Sequence, residues 1–193
     1  MEFQRLEIEG AFSVTNRVHA DERGEFVEWF RSDKIKSETG LNFKIIQANL
    51  SVSAAGSLRG IHYADVPPGQ AKYVTCVTGS IMDYVVDIRV GSPTFGEWVS
   101  IPLNSQDRNA VLIDVALGHA FLALEPETTV AYLVTDHFKP DSEHAINPLD
   151  ADVALAFPMD TSSLLLSPKD EQAPNLSESL RAGHLPRWKA GAS

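Results

Sequence analysis

The chain has 193 residues, 44% of them hydrophobic and 22% charged, with 26 acidic against 16 basic side chains and a formal net charge of -10. This length favours one domain spanning residues 1–193, and the apolar share is enough for a packed core, so wholesale disorder is excluded. The acidic excess repels phosphate backbones and excludes general nucleic-acid binding, so an anionic ligand has to be held by a few local Arg and Lys side chains. The single cysteine, Cys76, excludes an intrachain disulfide and a Cys-rich metal site. The start MEFQRLEIEG lacks a basic opening and an apolar core, so no signal peptide is expected. No stretch reaches the roughly 18 apolar residues of a membrane span, and the expected setting is the cytoplasm.

In chain order, period-2 alternation predicts a first strand over 3–8, followed by a short helix from an N-cap at Ser32 to a stop at Gly40. Further strands are predicted over 43–53, 57–63, 72–78, 80–89, 97–102, 110–115, 119–124 and 128–135. Between them lie turn signals at Gly79-Ser80, Gly91-Ser92-Pro93, Asn104 to Asp107 and Glu125-Pro126-Glu127. A second short helix is expected over 176–182, before Gly183, and Trp188 to Ser193 reads as a loose tail. So many short strands with so little helix predict an all-β sandwich or barrel.

The 43–53 strand presents Ile46, Ala48, Leu50 and Val52 on one face and Gln47, Asn49 and Ser51 on the other. It is either an ordinary half-exposed strand or one wall of a barrel whose polar interior holds a ligand. In Leu58-Arg59-Gly60-Ile61-His62-Tyr63, Arg59 and His62 face opposite sides of a regular strand, whereas a bulge at Gly60 puts both on one side. Lys72, His119, Tyr132 and Asp170 are further candidates for chemistry. Each also has an ordinary reading: a solvated strand end, a satisfied histidine, a core tyrosine and a turn aspartate. The six histidines are isolated from one another, without the His-x-His pair of metal-binding double-stranded β-helices, so no metal is expected. A Gly-rich phosphate loop and a Gly-x-Ser-x-Gly elbow are also missing.

Six motifs now stand in one order: Asp21-Glu22-Arg23-Gly24, Gln47-Ala48-Asn49-Leu50-Ser51, Leu58 to Tyr63, Gln70-Ala71-Lys72, Val86-Asp87-Ile88-Arg89 and Gly91-Ser92-Pro93-Thr94-Phe95-Gly96. With Trp98, His119-Ala120-Phe121, Tyr132 and Pro140, they resemble the dTDP-4-dehydrorhamnose 3,5-epimerase family from about Phe12 to Asp170. The resemblance implies a cupin-like jelly roll, a homodimer, and catalysis without a metal or organic cofactor. It implies a dTDP-4-keto-6-deoxy sugar as substrate, with His62 as base, Asp170 orienting it, Tyr132 as proton donor and Lys72 near the C4 oxygen. Arg23, Arg59 and His119 resemble diphosphate and sugar contacts, Gln47 and Asn49 cavity-lining amides, and Glu28 a thymine contact. The 19–29 segment of such proteins commonly reaches across a dimer interface. Two departures stand out: Ala116-Leu117-Gly118 where Pro-x-Gly is usual, and His137-Phe138 where a tyrosine usually occupies the second position. The expected reaction is inversion at C3 and C5. The alternatives are a C3- or C5-monoepimerase and, in another class, a non-catalytic sugar-nucleotide-binding cupin.

Overall fold

The computed structural model describes residues 1–189. Two antiparallel sheets carry the structure. The first orders six strands as β1 (Glu2–Arg5), β2 (Ala11–Thr15), β10 (Ala110–Ile113), β7 (Lys72–Thr78), β12 (Thr128–Val134) and β5 (Gln47–Ser53). The second orders five as β13 (Glu143–Ala145), β6 (Leu58–Ala64), β11 (Gly118–Ala123), β8 (Ser80–Val86) and β9 (Trp98–Asn104). A separate ribbon pairs β3 (Val18–Asp21) with β4 (Gly24–Val27). The helices α1 (Ser32–Thr39), α2 (Pro168–Glu171) and α3 (Leu176–Ala182) are short, and the architecture is the cupin-like jelly roll expected. Among the described residues no helix is long and apolar enough to cross a membrane.

Alternation decides what lies between the sheets. Val74 and Cys76 from β7, Ile81 and Val85 from β8, Phe121 from β11 and Val130 from β12 form one buried cluster. Lys72, Asp83, His119 and Tyr132 fall on the same inward period of those four strands. The interior therefore continues from an apolar end into a polar one.

Several boundaries differ from the sequence expectation. The first strand stops at Arg5, and the chain turns back into β2, which inserts between β1 and β10. The strand expected from residue 43 begins at Gln47; before it, Phe43 packs in the core near Ile35. The 80–89 strand ends at Val86 because Asp87 leaves the ladder to accept bonds from Arg89 Nε and Nη2 (both 2.8 Å), Ser92 Oγ and Thr94 Oγ1. Arg31, without a side-chain cap, stands at the N-cap of α1, so Ser32 is its first helical residue. The α3 expectation coincides with the structure, closed by a capping box between Asn175 and Glu178. Trp188 is not a loose end: its N–H donates to Val90 O at 3.1 Å and its indole to Glu9 at 3.3 Å. Residues 190–193 of the expected tail lie outside the described residues.

Candidate active site

The polar face of β5 points inward and its apolar face outward. Gln47, Asn49 and Ser51 are half-buried, with Gln47 Nε2 donating to Asn49 Oδ1 at 2.7 Å, while Ala48, Leu50 and Val52 are exposed. This is the barrel-wall reading of that strand. A cavity of about 430 Å³ opens between the sheets, walled by Gln47, Asn49, His62, Gln70, Lys72 and Tyr132. His62 comes from one sheet, and Lys72 and Tyr132 from the other, so the three groups approach the cavity from two sides.

β6 aims His62 through a register shift. His119 pairs with His62, but Phe121 pairs with Arg59, so β6 holds one residue more than β11 over that stretch. Arg59 and His62 consequently line one adjoining cavity of about 350 Å³ together with Asp170 and Lys169. Gly60 makes this possible: its φ is +125°, and a Cβ there would stand 2.4 Å from Ala120 Cβ and 2.6 Å from His119 O.

Asp170 meets His62 from outside the sheets. Ser167 caps α2 by accepting from the Asp170 N–H at 3.1 Å, and Pro168 starts the helix without losing a needed N–H. Asp170 is 3% exposed, and its Oδ1 lies 2.7 Å from His62 Nε2. Burial acts to raise its pKa, but hydrogen bonds from His62, Ser167 and the Gly60 N–H outweigh it and hold the carboxyl below its ordinary value.

Lys72 is not a solvated strand end. It is 8% exposed, and burial pulls its ammonium below the ordinary value while Glu143 and Asp83 pull it back up. Burial raises the Tyr132 phenol; Arg59 opposes that and Glu143 adds to it, so the hydroxyl keeps its proton at neutrality. His119 is buried on β11 next to His62, with its Nε2 2.8 Å from Asp83 Oδ2. The structure does not bring Arg23 and Glu28 to this cavity within the chain. Arg23 is exposed near the tip of the β3–β4 ribbon in a pair with Asp21, and Glu28 lies 3.4 Å from Arg31.

Sequence reasoning passed over Glu143 and Lys169, both of which line the cavity, as do Phe138 and His144. Glu143 is braced by Gln70, whose Nε2 donates to it at 3.3 Å. Glu143 in β13 and Lys169 in α2 stand outside any apolar alternation, and such isolated charged residues read as solvated surface in the sequence. Among the described residues no group of three or more His, Cys, Asp or Glu side chains is placed to hold a metal ion.

The chain is similar to a known family along nearly its whole length. The family model described as dTDP-4-dehydrorhamnose 3,5-epimerase matches residues 5–178. The chain is 48% identical over 188 residues to a dTDP-4-dehydrorhamnose 3,5-epimerase of Mycolicibacterium smegmatis, covering 97% of this chain and 92% of that protein. It is 46% identical over 185 residues to a dTDP-4-dehydro-6-deoxyglucose 3-epimerase of Streptomyces bikiniensis, covering 96% and 94%. The solved RmlC epimerase of Mycobacterium tuberculosis superposes with a TM-score of 0.95 at 44% identity, over 97% of this chain and 94% of that one. With a jelly roll, a polar cavity between its sheets and this likeness along nearly its whole length, the chain belongs to the dTDP-4-dehydrorhamnose 3,5-epimerase family of sugar-nucleotide epimerases.

Proposed function

We propose that the protein inverts C3 and C5 of dTDP-4-dehydro-6-deoxy-D-glucose to give dTDP-4-dehydro-L-rhamnose. The observation that carries this reading is the pair of His62 and Asp170 at 2.7 Å, facing a cavity that Lys72 and Tyr132 enter from the opposite sheet. A C4 ketone acidifies the hydrogens on both neighbouring carbons, because the electron pair left by either proton delocalises onto the carbonyl oxygen as an enolate. Inversion then needs a base on one face, a proton donor on the other and a positive charge at the oxygen.

In the proposed mechanism His62 takes the proton from carbon, and Asp170, already ionised, stabilises the imidazolium that forms. Lys72 holds the enolate oxygen. Tyr132 returns a proton to the opposite face, regenerating the ketone with inverted configuration. Gln47 and Asn49 hold the sugar, and Arg59, with Lys169 beside it, takes the diphosphate side of the ligand; His119 lies behind the cavity wall, bonded to Asp83. Such a concentration of cations lets a chain of net charge -10 bind a dianion.

The reading includes a homodimer. The outer face of β5 carries Leu50, 66% exposed, and Val52, and Val77 on β7 of the same sheet is exposed as well. A sheet face left to water normally alternates to polar residues, so this one calls for a cover. The proposed cover is a second copy of the chain, whose β3–β4 ribbon would bring Arg23 and Glu28 to the neighbouring cavity to hold the diphosphate and the base.

Replacing the base tests the mechanism. His62→Ala should abolish exchange at both carbons, a loss of at least about 10³-fold in turnover, while dTDP binding and the fold survive. Turnover near the wild-type rate in that variant refutes the assignment. A narrower reading, inversion at C3 alone, has its own support in the 3-epimerase relatives and in Phe138, which lines the cavity without a hydroxyl. One neutral hydrogen bond is worth about 1 kcal/mol, less than tenfold in rate, which slows a second inversion but leaves it in place.

A further inference from the structure

One side chain of the cavity wall is unlike the rest. Among the described residues lining it, every other side chain carries a nitrogen or an oxygen, whereas Phe138 offers hydrocarbon alone. Phe138 is 58% exposed, and a single exposed ring needs no explanation by itself, but this one is held in a defined place. Val134, the last residue of β12, pairs with Gln47 on one side and Lys72 on the other, and Phe138 follows four residues later. The loop that carries the ring is tied back to the same two edges. The Phe138 N–H donates to Gln47 Oε1 at 3.1 Å, and Gln70, two residues before Lys72, donates from Nε2 to Asp136 O at 3.3 Å. Asp136 in turn accepts from the His137 N–H at 2.9 Å and pairs with Lys139, which closes the loop on itself. Phe138 therefore belongs to the Lys72 end of the cavity, and the amide atoms Gln47 Oε1 and Gln70 Nε2 are committed to holding its loop.

In the mechanism proposed above, Lys72 marks the place of the C4 oxygen. C4 is bonded to C5, and C5 carries a methyl group, the only hydrocarbon substituent on this sugar ring. We propose that Phe138 is a specificity-determining residue that packs against this C6 methyl and so selects a 6-deoxy sugar over its 6-hydroxy counterpart. The proposal rests on the epimerase reading for the sugar that fills the cavity. A methyl group laid on the ring removes apolar surface from water on both partners. A 6-hydroxyl would meet the same hydrocarbon, where burial leaves it short of a hydrogen-bond partner. An apolar wall discriminates against an added hydroxyl by about 10²-fold at most, and a ring that stays partly open to water by less, so the expected preference is about tenfold.

Two ligands that differ only at C6 test this without turnover: dTDP-6-deoxy-D-glucose and dTDP-D-glucose, neither of which has a ketone to enolise. In calorimetric titrations the wild type should bind the 6-deoxy ligand about fivefold or more tighter than its 6-hydroxy counterpart. In Phe138→Ala that ratio should fall below about twofold, through weaker binding of the 6-deoxy ligand, and Phe138→Leu, which keeps hydrocarbon there, should hold it above about threefold. Phe138 stands outside the buried clusters, so both variants should fold. dTDP alone should bind the wild type and Phe138→Ala within about a factor of two, because the ring serves the sugar. An equal loss for dTDP and for both sugar nucleotides assigns the ring to the nucleotide and overturns the proposal. So does a wild type without preference at C6, a ratio that Phe138→Ala leaves unchanged, or one that Phe138→Leu loses as fully as Phe138→Ala. A wild type that prefers the 6-deoxy ligand but places no deuterium on the 4-keto sugar defeats the epimerase reading and leaves the assignment of Phe138 standing.

Discussion

Asp170 shows at the scale of one residue how a buried carboxylate keeps its charge. Desolvation opposes ionisation, yet three donors converge on it, and its pKa falls below the ordinary 3.8. A depressed folded value means that the pair stabilises the fold fully above the unfolded pKa, and that this contribution is lost as the pH falls through the folded value. The wild type should therefore lose stability below about pH 4 in part through Asp170. In Asp170→Asn, urea midpoints between pH 3 and pH 7 should flatten, because the titrating group is gone. The same substitution should lower kcat by about 10²-fold or more, because the amide orients the His62 ring without stabilising its charge. Unchanged turnover would remove Asp170 from the mechanism. Little of this was legible in the sequence. The bulge at Gly60 was legible only as one of two readings, and the roles of His62 and Asp170 only through the family resemblance; the depth of Asp170 was not legible, since Ser167-Pro168-Lys169-Asp170 reads equally as a solvated turn.

At the scale of elements, β6 concentrates most of what positions the site. Gly60 lets β6 and β11 approach until no Cβ fits, and the resulting shift turns Arg59 toward the side of His62. Gly60→Ala would add a methyl 2.4 Å from Ala120 Cβ and force a side chain into a positive φ. Backbone strain and overpacking together should cost about 3 kcal/mol, a fall of about 10 °C in melting temperature, with activity lost in the folded fraction as His62 turns away. A variant with wild-type melting and turnover would show that the bulge is not needed. Strand 72–78 coincides with its expected bounds because Lys72-Tyr73-Val74-Thr75-Cys76 is a continuous run of strand formers buried on both faces. β13 escaped because Glu143-His144-Ala145 has no apolar alternation; it is a strand only through pairing with His62 to Ala64. With it went Glu143, whose place at the cavity depends on that pairing.

For the whole molecule, the distribution of side chains over β5 reverses the usual rule, polar inward and apolar outward. The inward half makes the cavity, and the outward half is the face assigned above to a second copy of the chain. Leu50→Glu places a charge at the centre of that face, and desolvating it against its symmetry mate should shift the protein to a monomer in light scattering. The β3–β4 ribbon would then lose the neighbour it is proposed to serve, so turnover should fall with the dimer while the monomer stays folded. A fully active monomer contradicts this arrangement.

The central claim is a double inversion through an enolate in one cavity, and the fate of hydrogen at C3 and C5 tests it most directly. Incubated in heavy water with dTDP-4-dehydro-6-deoxy-D-glucose, the wild type should place two solvent deuterons on the sugar, one at each carbon, as read by mass analysis of the product. The deuteron at C3 can enter first, since Phe138 leaves the second step without one hydroxyl. A single deuteron after exhaustive incubation would contradict the double inversion and reduce the enzyme to a monoepimerase. No deuteron at all would contradict the enolate mechanism itself.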